Sequence, residues 1–207
     1  VLKKVNHIID YFQNEQIYMT SKNIDKRKML KTFTPTKKFT KIQINNNQKF
    51  DILYISSKWL QNKINIDSFL KKINYKETDY KFLIVGDILG SKKNFKKVKM
   101  KKYSLSNLRS SKLGIAIMKS GTGRKTKIFE MLALGIPIFT NIDLSEYGLK
   151  NNKHYKILDE KLSIKYQIKL LLSDEKLRKK ISTNAYNWSR KYSFYQKAFA
   201  PINKILY

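Results

Sequence analysis

Residues 120–141, SGTGRKTKIFEMLALGIPIFTN, hold the most specific grouping of chemistry in the chain. An apolar run, LGIAIM, leads into Gly121-Thr122-Gly123, and a helical pattern, RKTKIFEMLAL, follows. A strand, two glycines and a helix in that order suit an anion. Glycines let the backbone come close to a ligand, and the first amides of a helix point outward without intrahelical acceptors. A diphosphate fits that arrangement. Lys127 and Glu130 stand three residues apart and so share one face of the expected helix. Lys127 can bring positive charge toward a phosphate, and Glu130 can accept hydrogen bonds from a diol such as a ribose. A plainer reading stands beside this one: a Gly-x-Gly turn that holds no ligand, with an exposed lysine–glutamate pair worth about 0.3 kcal/mol. The stretch is not a P-loop, because the Gly-Lys-Ser/Thr ending is missing. It is not a dinucleotide fingerprint either, because the third glycine is absent.

The elements around this loop alternate. FDILYIS (50–56) reads as a strand, and NKINIDSFLKKIN follows as a helix with Ile64, Phe69, Leu70 and Ile73 near helical spacing. YKFLIVGD (80–87) is a buried strand ending at Gly86, and FKKVKMKKY (95–103) alternates as a strand with one wet face does. SLSNLRSS opens on a serine suited to cap a short helix. LGIAIM, the helix closed by Gly135, IPIFTN and the short HYKILD complete the alternation. From about residue 160 the pattern is helical throughout, and Asp174 and Glu175 open one helix where acidic groups suit the positive end of the dipole. Strands alternating with helices predict an α/β fold, a Rossmann-like doubly wound parallel sheet followed by carboxy-terminal helices. In such sheets ligands bind beyond the carboxyl ends of the strands, which puts the 119–124 loop on the binding edge. Residues 1–48 fit less well. VNHIIDYFQ and NIDKRKMLKTF look helical, IYMTS looks like a strand, and the stretches around Pro35 and NNNQK read as connectors.

At 207 residues and 24.5 kDa, the chain suits one domain plus an appendage. Hydrophobic residues at 42% and aromatics at 13%, recurring at regular intervals, exclude a disordered tail. The net charge of +29 raises a nucleic-acid reading. Most of that charge is lysine, spread over every segment among asparagine and isoleucine, as an AT-rich genome encodes on solvated faces. The 13 tyrosines are likewise scattered, with Tyr54 at a core-like position, rather than gathered with lysine on one strand face as stacking platforms are. No specific nucleic-acid partner is therefore expected, although the field attracts polyanions and anionic lipid without specificity. No cysteine occurs, which excludes disulfides and thiolate metal sites. His7 and His154 lack ligand-like spacing and read as lone surface or core histidines. No apolar run reaches the length of a membrane span and no signal-peptide pattern is present, so the expected setting is cytoplasmic, with a peripheral place at the inner membrane face allowed by the charge. The chain opens on Val1 rather than Met, which points to a missing amino-terminal part.

The 120–141 stretch is similar to the nucleotide-sugar loop and helix of retaining GT-B glycosyltransferases of the group 1 type, in the carboxy-terminal Rossmann-like domain that binds the donor. YKFLIVGD looks like that family's second strand, LGIAIMKSGTG like the strand entering the donor loop, and ILYISSKWLQNKINIDSFLKKI like its opening strand and first helix. LLLSDEKLRKKISTNAYNWSRKYSF resembles its closing helices, so the likeness covers about residues 50–195. The resemblance implies that Glu130 holds the donor ribose hydroxyls and that Gly121, Thr122 and Gly123 line the diphosphate and sugar. The family pattern commonly carries a further glutamate eight positions before this one. Here that position is Thr122, as in branches with a Gly-Thr-Gly form, so the donor sugar lacks that carboxylate. The basic pair that often follows the first strand has two candidates, Lys58 and Lys63. Lys58 is the better placed, and either can equally be a solvated lysine.

The resemblance further implies transfer of a sugar from a nucleoside diphosphate to a glycan or lipid-linked acceptor, with retention, in cell-surface polysaccharide synthesis. The departing diphosphate would be stabilised by helix dipole, amides and lysine, with no metal or other cofactor required and no catalytic residue assignable. Base selection would fall near the loop after the third strand, around Tyr103 to Asn107. GT-B enzymes have two Rossmann-like domains, and this chain has room for one. The expected division is therefore 1–48 as the tail of an absent amino-terminal acceptor domain and linker, 49–192 as the nucleotide-sugar-binding domain, and 193–207 as a terminal helix crossing back. Turnover by this chain alone is doubtful on that reading. The alternatives are a basic nucleic-acid-binding protein and a non-catalytic scaffold on the donor-domain fold.

Overall fold

A computed structural model describes residues 8–10, 29–31, 35–45, 47–57, 60–87, 97–118, 125–194, 198 and 200. Near the amino terminus, β1 (Ile8–Asp10) and β2 (Met29–Lys31) form a parallel pair with Ile8 opposite Met29. Both fall in stretches whose periodicity predicts helix, and for these residues that expectation is corrected. A short apolar run such as Ile8-Ile9 or Met29-Leu30 fits either period, and mutual pairing supplies the backbone hydrogen bonds that a helix would have made internally. The strand expected at IYMTS lies outside the described residues.

The main sheet begins at β3 (Phe50–Ile55), followed by α1 (Leu60–Lys72), β4 (Phe82–Val85) and β5 (Val98–Lys101). A short α2 (Leu105–Leu108) leads to β6 (Ser111–Ala116), α3 (Thr126–Leu134), β7 (Ile138–Thr140) and β8 (Lys156–Ile157). Two helices close the domain, α4 (Ile164–Ser173) and α5 (Glu175–Tyr192). The six strands are all parallel in the order β5-β4-β3-β6-β7-β8. Counted from β3 as the first, that is the order 3-2-1-4-5-6 of a Rossmann sheet, and the order reverses between β3 and β6.

Local signals set the helix boundaries. The Ser104 side chain accepts from the Asn107 amide and opens α2, and the Asp174 carboxylate accepts from the Leu177 amide and opens α5. At the end of α3, Gly135 takes φ 74°, its amide bonding Leu132 O and the next amide bonding Met131 O. That is a Schellman closure, which favours glycine because a Cβ strains the left-handed region.

Alternation along the strands sorts the core into two clusters. Leu53, Ile55, Leu83 and Val85 face α3 and α5, where Phe129, Leu132 and Trp188 are buried. Ile52, Tyr54, Phe82 and Ile84 face the opposite way, toward Ile66, Phe69 and Leu70 of α1 and Ile168 and Leu171 of α4. Each such side chain withdrawn from water contributes roughly 1.5–3 kcal/mol. Tyr54 belongs to the core as expected, and burial pushes its phenol up to about 12.

Residues 35–45 form no regular element yet are bound into the first cluster. Ile42 and Ile44 are buried there, the Ile42 amide donates to Leu134 O at 2.9 Å, and Tyr186 Oη donates to Phe39 O at 3.0 Å. The Thr36 amide donates to Ser193 O at 2.8 Å, and Thr36 pairs with Phe194 in an isolated parallel bridge. The end of α5 therefore returns to the segment that precedes β3. Of the helix expected over 193–207, Ala198 is helical and donates to Phe194 O at 2.9 Å, and most of the rest lies outside the described residues.

Candidate functional site

The reversal of strand order opens a crevice between the carboxyl ends of β3 and β6. On its first side Ser56 and Ser57 follow β3, held by the tip of β4: the Ser56 amide donates to Val85 O at 2.9 Å. Gly86 makes that approach feasible. Its φ is 103°, and a Cβ there would stand 2.3 Å from Ser56 O, so any side chain would push the two strand ends apart.

On the second side α3 begins at Thr126. The first amides of a helix lack intrahelical partners; among the described residues the side chain of Lys125, at the N-cap, makes no capping hydrogen bond to them, and no acidic residue occupies the first turn. The positive end of α3 faces the crevice side, where an anion would be favoured. Lys127 reaches back across the crevice, its Nζ 3.4 Å from Ser57 Oγ. The same hydroxyl accepts from Asn62 Nδ2 of α1 at 2.7 Å, which ties the loop after β3 to both helices. Lys127 is half-buried, and burial lowers its ammonium pKa from the ordinary value.

Glu130 lies one turn after Thr126, and both line a cavity of about 310 Å³. Tyr103 and Leu105, at the start of α2, form another wall, and Pro35, Thr36, Lys37 and Phe39 form the rest. Glu130 is half-buried, and burial raises its carboxyl pKa above the usual range. Among the described residues no hydrogen bond or ion pair reaches its carboxylate. A half-desolvated carboxylate without a partner accepts strongly from hydroxyls, so the cavity is chemically suited to a diol beside an anion.

Lys127 and Glu130 are therefore not the exposed helix pair of the plainer reading. No ion pair joins them among the described residues, and they serve different places, Lys127 the crevice and Glu130 the cavity. Lys58, Gly121, Thr122 and Gly123 lie outside the described residues, as does His7. Lys63 pairs with Asp67 one turn along α1 at 3.8 Å, an ordinary surface contact away from the crevice. His154 is a buried structural histidine whose Nδ1 accepts from the Lys150 amide at 2.8 Å. Sequence reasoning missed Ser57 and the wall at 35–39. A serine at a strand end and a polar connector carry no periodic signal, and what places them is long-range packing. No helix among the described residues is long and apolar enough to cross a membrane.

The chain has the fold of the GT-B glycosyltransferases. It superposes on TarM of S. aureus with a TM-score of 0.73 at 17% identity, over 99% of this chain and 43% of that one. HepE of Anabaena in complex with UDP matches with a TM-score of 0.74 at 11% identity, over 98% of this chain and 63% of that one. A glycosyltransferase from Rickettsia africae matches at 0.70 and 14% identity, over 97% and 62%. The chain thus spans less than two thirds of each of these structures. By sequence alone, no protein-family profile and no curated protein matches it.

Proposed function

We propose that this chain is the nucleotide-sugar-binding part of a glycosyltransferase. The observation that carries the proposal is the Glu130 carboxylate, half-buried and without a described partner, lining a cavity one turn beyond the start of α3. In this reading Glu130 accepts from the donor's ribose hydroxyls. The amides at the start of α3, with Gly121, Thr122 and Gly123 before them, receive the diphosphate, and Lys127 and Lys58 add positive charge. Tyr103 and Leu105 offer an apolar wall for the base. Structures similar to this one were solved with nucleotides, HepE with UDP and with UDP-glucose and TarM with UDP, which makes UDP the first nucleotide to test.

The transfer itself follows from where charge develops. As the glycosidic bond to the diphosphate breaks, negative charge grows on the leaving oxygen, and a fixed helix end and a lysine in a half-buried crevice stabilise it more than they stabilise the bound donor. On this reading, and as the resemblance to the group 1 enzymes implies, the transfer needs no metal, keeps the sugar's configuration and passes it to a glycan or lipid-linked acceptor held by an amino-terminal domain. Cell-surface polysaccharide synthesis is the setting this chemistry suits.

The test is a thermal-shift titration with UDP, GDP, ADP and CMP at near-physiological salt, run beside Glu130→Ala. A ligand that binds the native state raises its stability by mass action. One nucleoside diphosphate should stabilise the wild type, and Glu130→Ala should weaken that binding about 10- to 100-fold, as loss of charge-assisted hydrogen bonds does. Equal responses to all nucleotides, unchanged in the variant, would reduce the effect to charge and end the reading.

A further inference from the structure

Seven large hydrophobic side chains are exposed among the described residues. Two of them, Tyr103 and Leu105, line the cavity at Glu130. The other five lie on one layer: Leu60 and Ile64 on α1, and Leu162, Tyr166 and Leu170 on α4 or just before it. None lies on α3 or α5. Tyr166 and Leu170 stand four apart on one side of α4, 51% and 48% exposed, and Leu162, 45% exposed, lies two residues before the helix. Each is preceded in sequence by an exposed lysine, Lys161, Lys165 and Lys169, the last two on α4 itself. The inner side of α4 is already committed, with Gln167, Ile168 and Leu171 buried against the sheet layer. Tyr166 and Leu170, with Lys165 and Lys169, therefore face away from the fold, while Leu162 also lines a cavity between α1 and α4.

We propose that this face of α4 is a docking surface for an anionic lipid bilayer. A tyrosine and a leucine on the helix, with a leucine just before it, offer apolar side chains that enter the boundary between headgroups and acyl chains, where tyrosine is at home. The lysines lay their methylene stems along those apolar side chains and put their ammonium groups among lipid phosphates. Asp159 and Glu160 stand at one end, before the helix, and the lysines continue beyond them. Charge decides between occupants. A second copy of this chain would bring lysine against lysine in a protein whose net charge is +29, whereas an extended anionic surface is attracted by the whole molecule and held by the apolar side chains. The proposal does not depend on donor binding.

The chain has no cysteine, so one introduced thiol gives a unique label. Tyr166→Cys carrying an environment-sensitive fluorophore is titrated with vesicles of phosphatidylglycerol and phosphatidylcholine, and with vesicles of phosphatidylcholine alone. Asn187→Cys on the exposed side of α5 is the control. The expected result is a blue shift at position 166 with the anionic vesicles only, and no shift at 187. Leu162→Ser with Leu170→Ser leaves the charge unchanged and should weaken co-sedimentation with the anionic vesicles about tenfold, with the melting temperature preserved. Equal shifts at both positions, or sedimentation unchanged in the serine variant, would mean charge alone and overturn the proposal. A shift at 166 that rises with protein concentration in the absence of vesicles would make a second copy the occupant and overturn it as well.

Discussion

The two faces of the sheet are covered to different degrees. On one, α3 and α5 pack over Leu53, Ile55, Leu83 and Val85, residues 35–45 add Ile42 and Ile44, and Phe129 sits between Tyr147 and Trp188 with ring centroids 4.9 and 5.9 Å away. On the other, α1 and α4 cover the strands but leave a cavity of about 430 Å³ between them, lined by Phe69, Leu158 and Ile164 among others, and keep five apolar side chains in solvent. The sealed face holds the start of α3, with Glu130 and the cavity in front of it. Rigid cover behind α3 is what would keep its amides aimed in the proposed donor site, and the looser face leaves apolar side chains for the proposed bilayer contact.

Truncating one aromatic on each face measures the difference. Phe129 and Phe69 are both fully buried. Phe129→Ala should cost about 4–5 kcal/mol, near the top of the range for such changes, because the surrounding rings cannot collapse into the void. Phe69→Ala opens onto an existing cavity and should cost nearer to about 3 kcal/mol. Denaturant midpoints at constant m value decide the matter, and equal losses would show that the two faces are packed alike.

Much of the sealed face was legible in sequence. The strand-helix alternation, Ser104 as a cap, Asp174 and Glu175 at a helix start and Gly135 as the closure of α3 all rest on local rules, and the structure bears them out, with Asp174 also serving as the cap. Lys127 and Glu130 were legible as a pair on one helix with different chemistry, but their surroundings were not, because Ser57 and Tyr103 approach them from loops distant in sequence. The looser face was less legible. Ile64 fits the helical period of α1 and is 42% exposed, while Ile66, which the spacing passed over, is buried. Periodicity gives the width of an apolar stripe but not the edge of its cover. Near the amino terminus the stretches around Ile8 and Met29 became strands because a partner segment, invisible to any local window, supplied the hydrogen bonds.

A smaller effect tests how tightly the sealed face is closed at its rim. His154 is buried beside the core residue Tyr155, accepts from the Lys150 amide, and has its pKa lowered by burial first and then by Lys153 and Lys150. The unfolded chain takes a proton at the ordinary imidazole value, the folded one only at lower pH. The stability contributed by neutral His154 is therefore full above the unfolded value and is lost as pH falls toward the folded one. Melting temperature should decline between about pH 7 and pH 5, with a shallower slope in His154→Gln. Parallel slopes would mean that water reaches the imidazole and the rim is open.

The smallest effect concerns Glu130, the point where the sealed face opens to solvent. Its carboxyl pKa is raised by burial, so its contribution to stability is full below the ordinary carboxyl value and is lost as pH rises through the folded one. At neutral pH the protein without ligand then carries a desolvated carboxylate that would be better neutral. Glu130→Gln removes that charge and keeps the shape. The variant should melt slightly higher than the wild type at pH 7, by about 1 °C because solvent screens a half-exposed group, and the difference should close near about pH 4. The same variant should lose the response to nucleoside diphosphate, since an amide is a weaker acceptor for a diol than a carboxylate is. Gain of stability together with loss of binding is the signature of a group held against its own preference for a ligand. If Glu130→Gln instead melts lower at pH 7, the carboxylate is holding the fold together, and the cavity wall at 35–39 is the place to look for its partner.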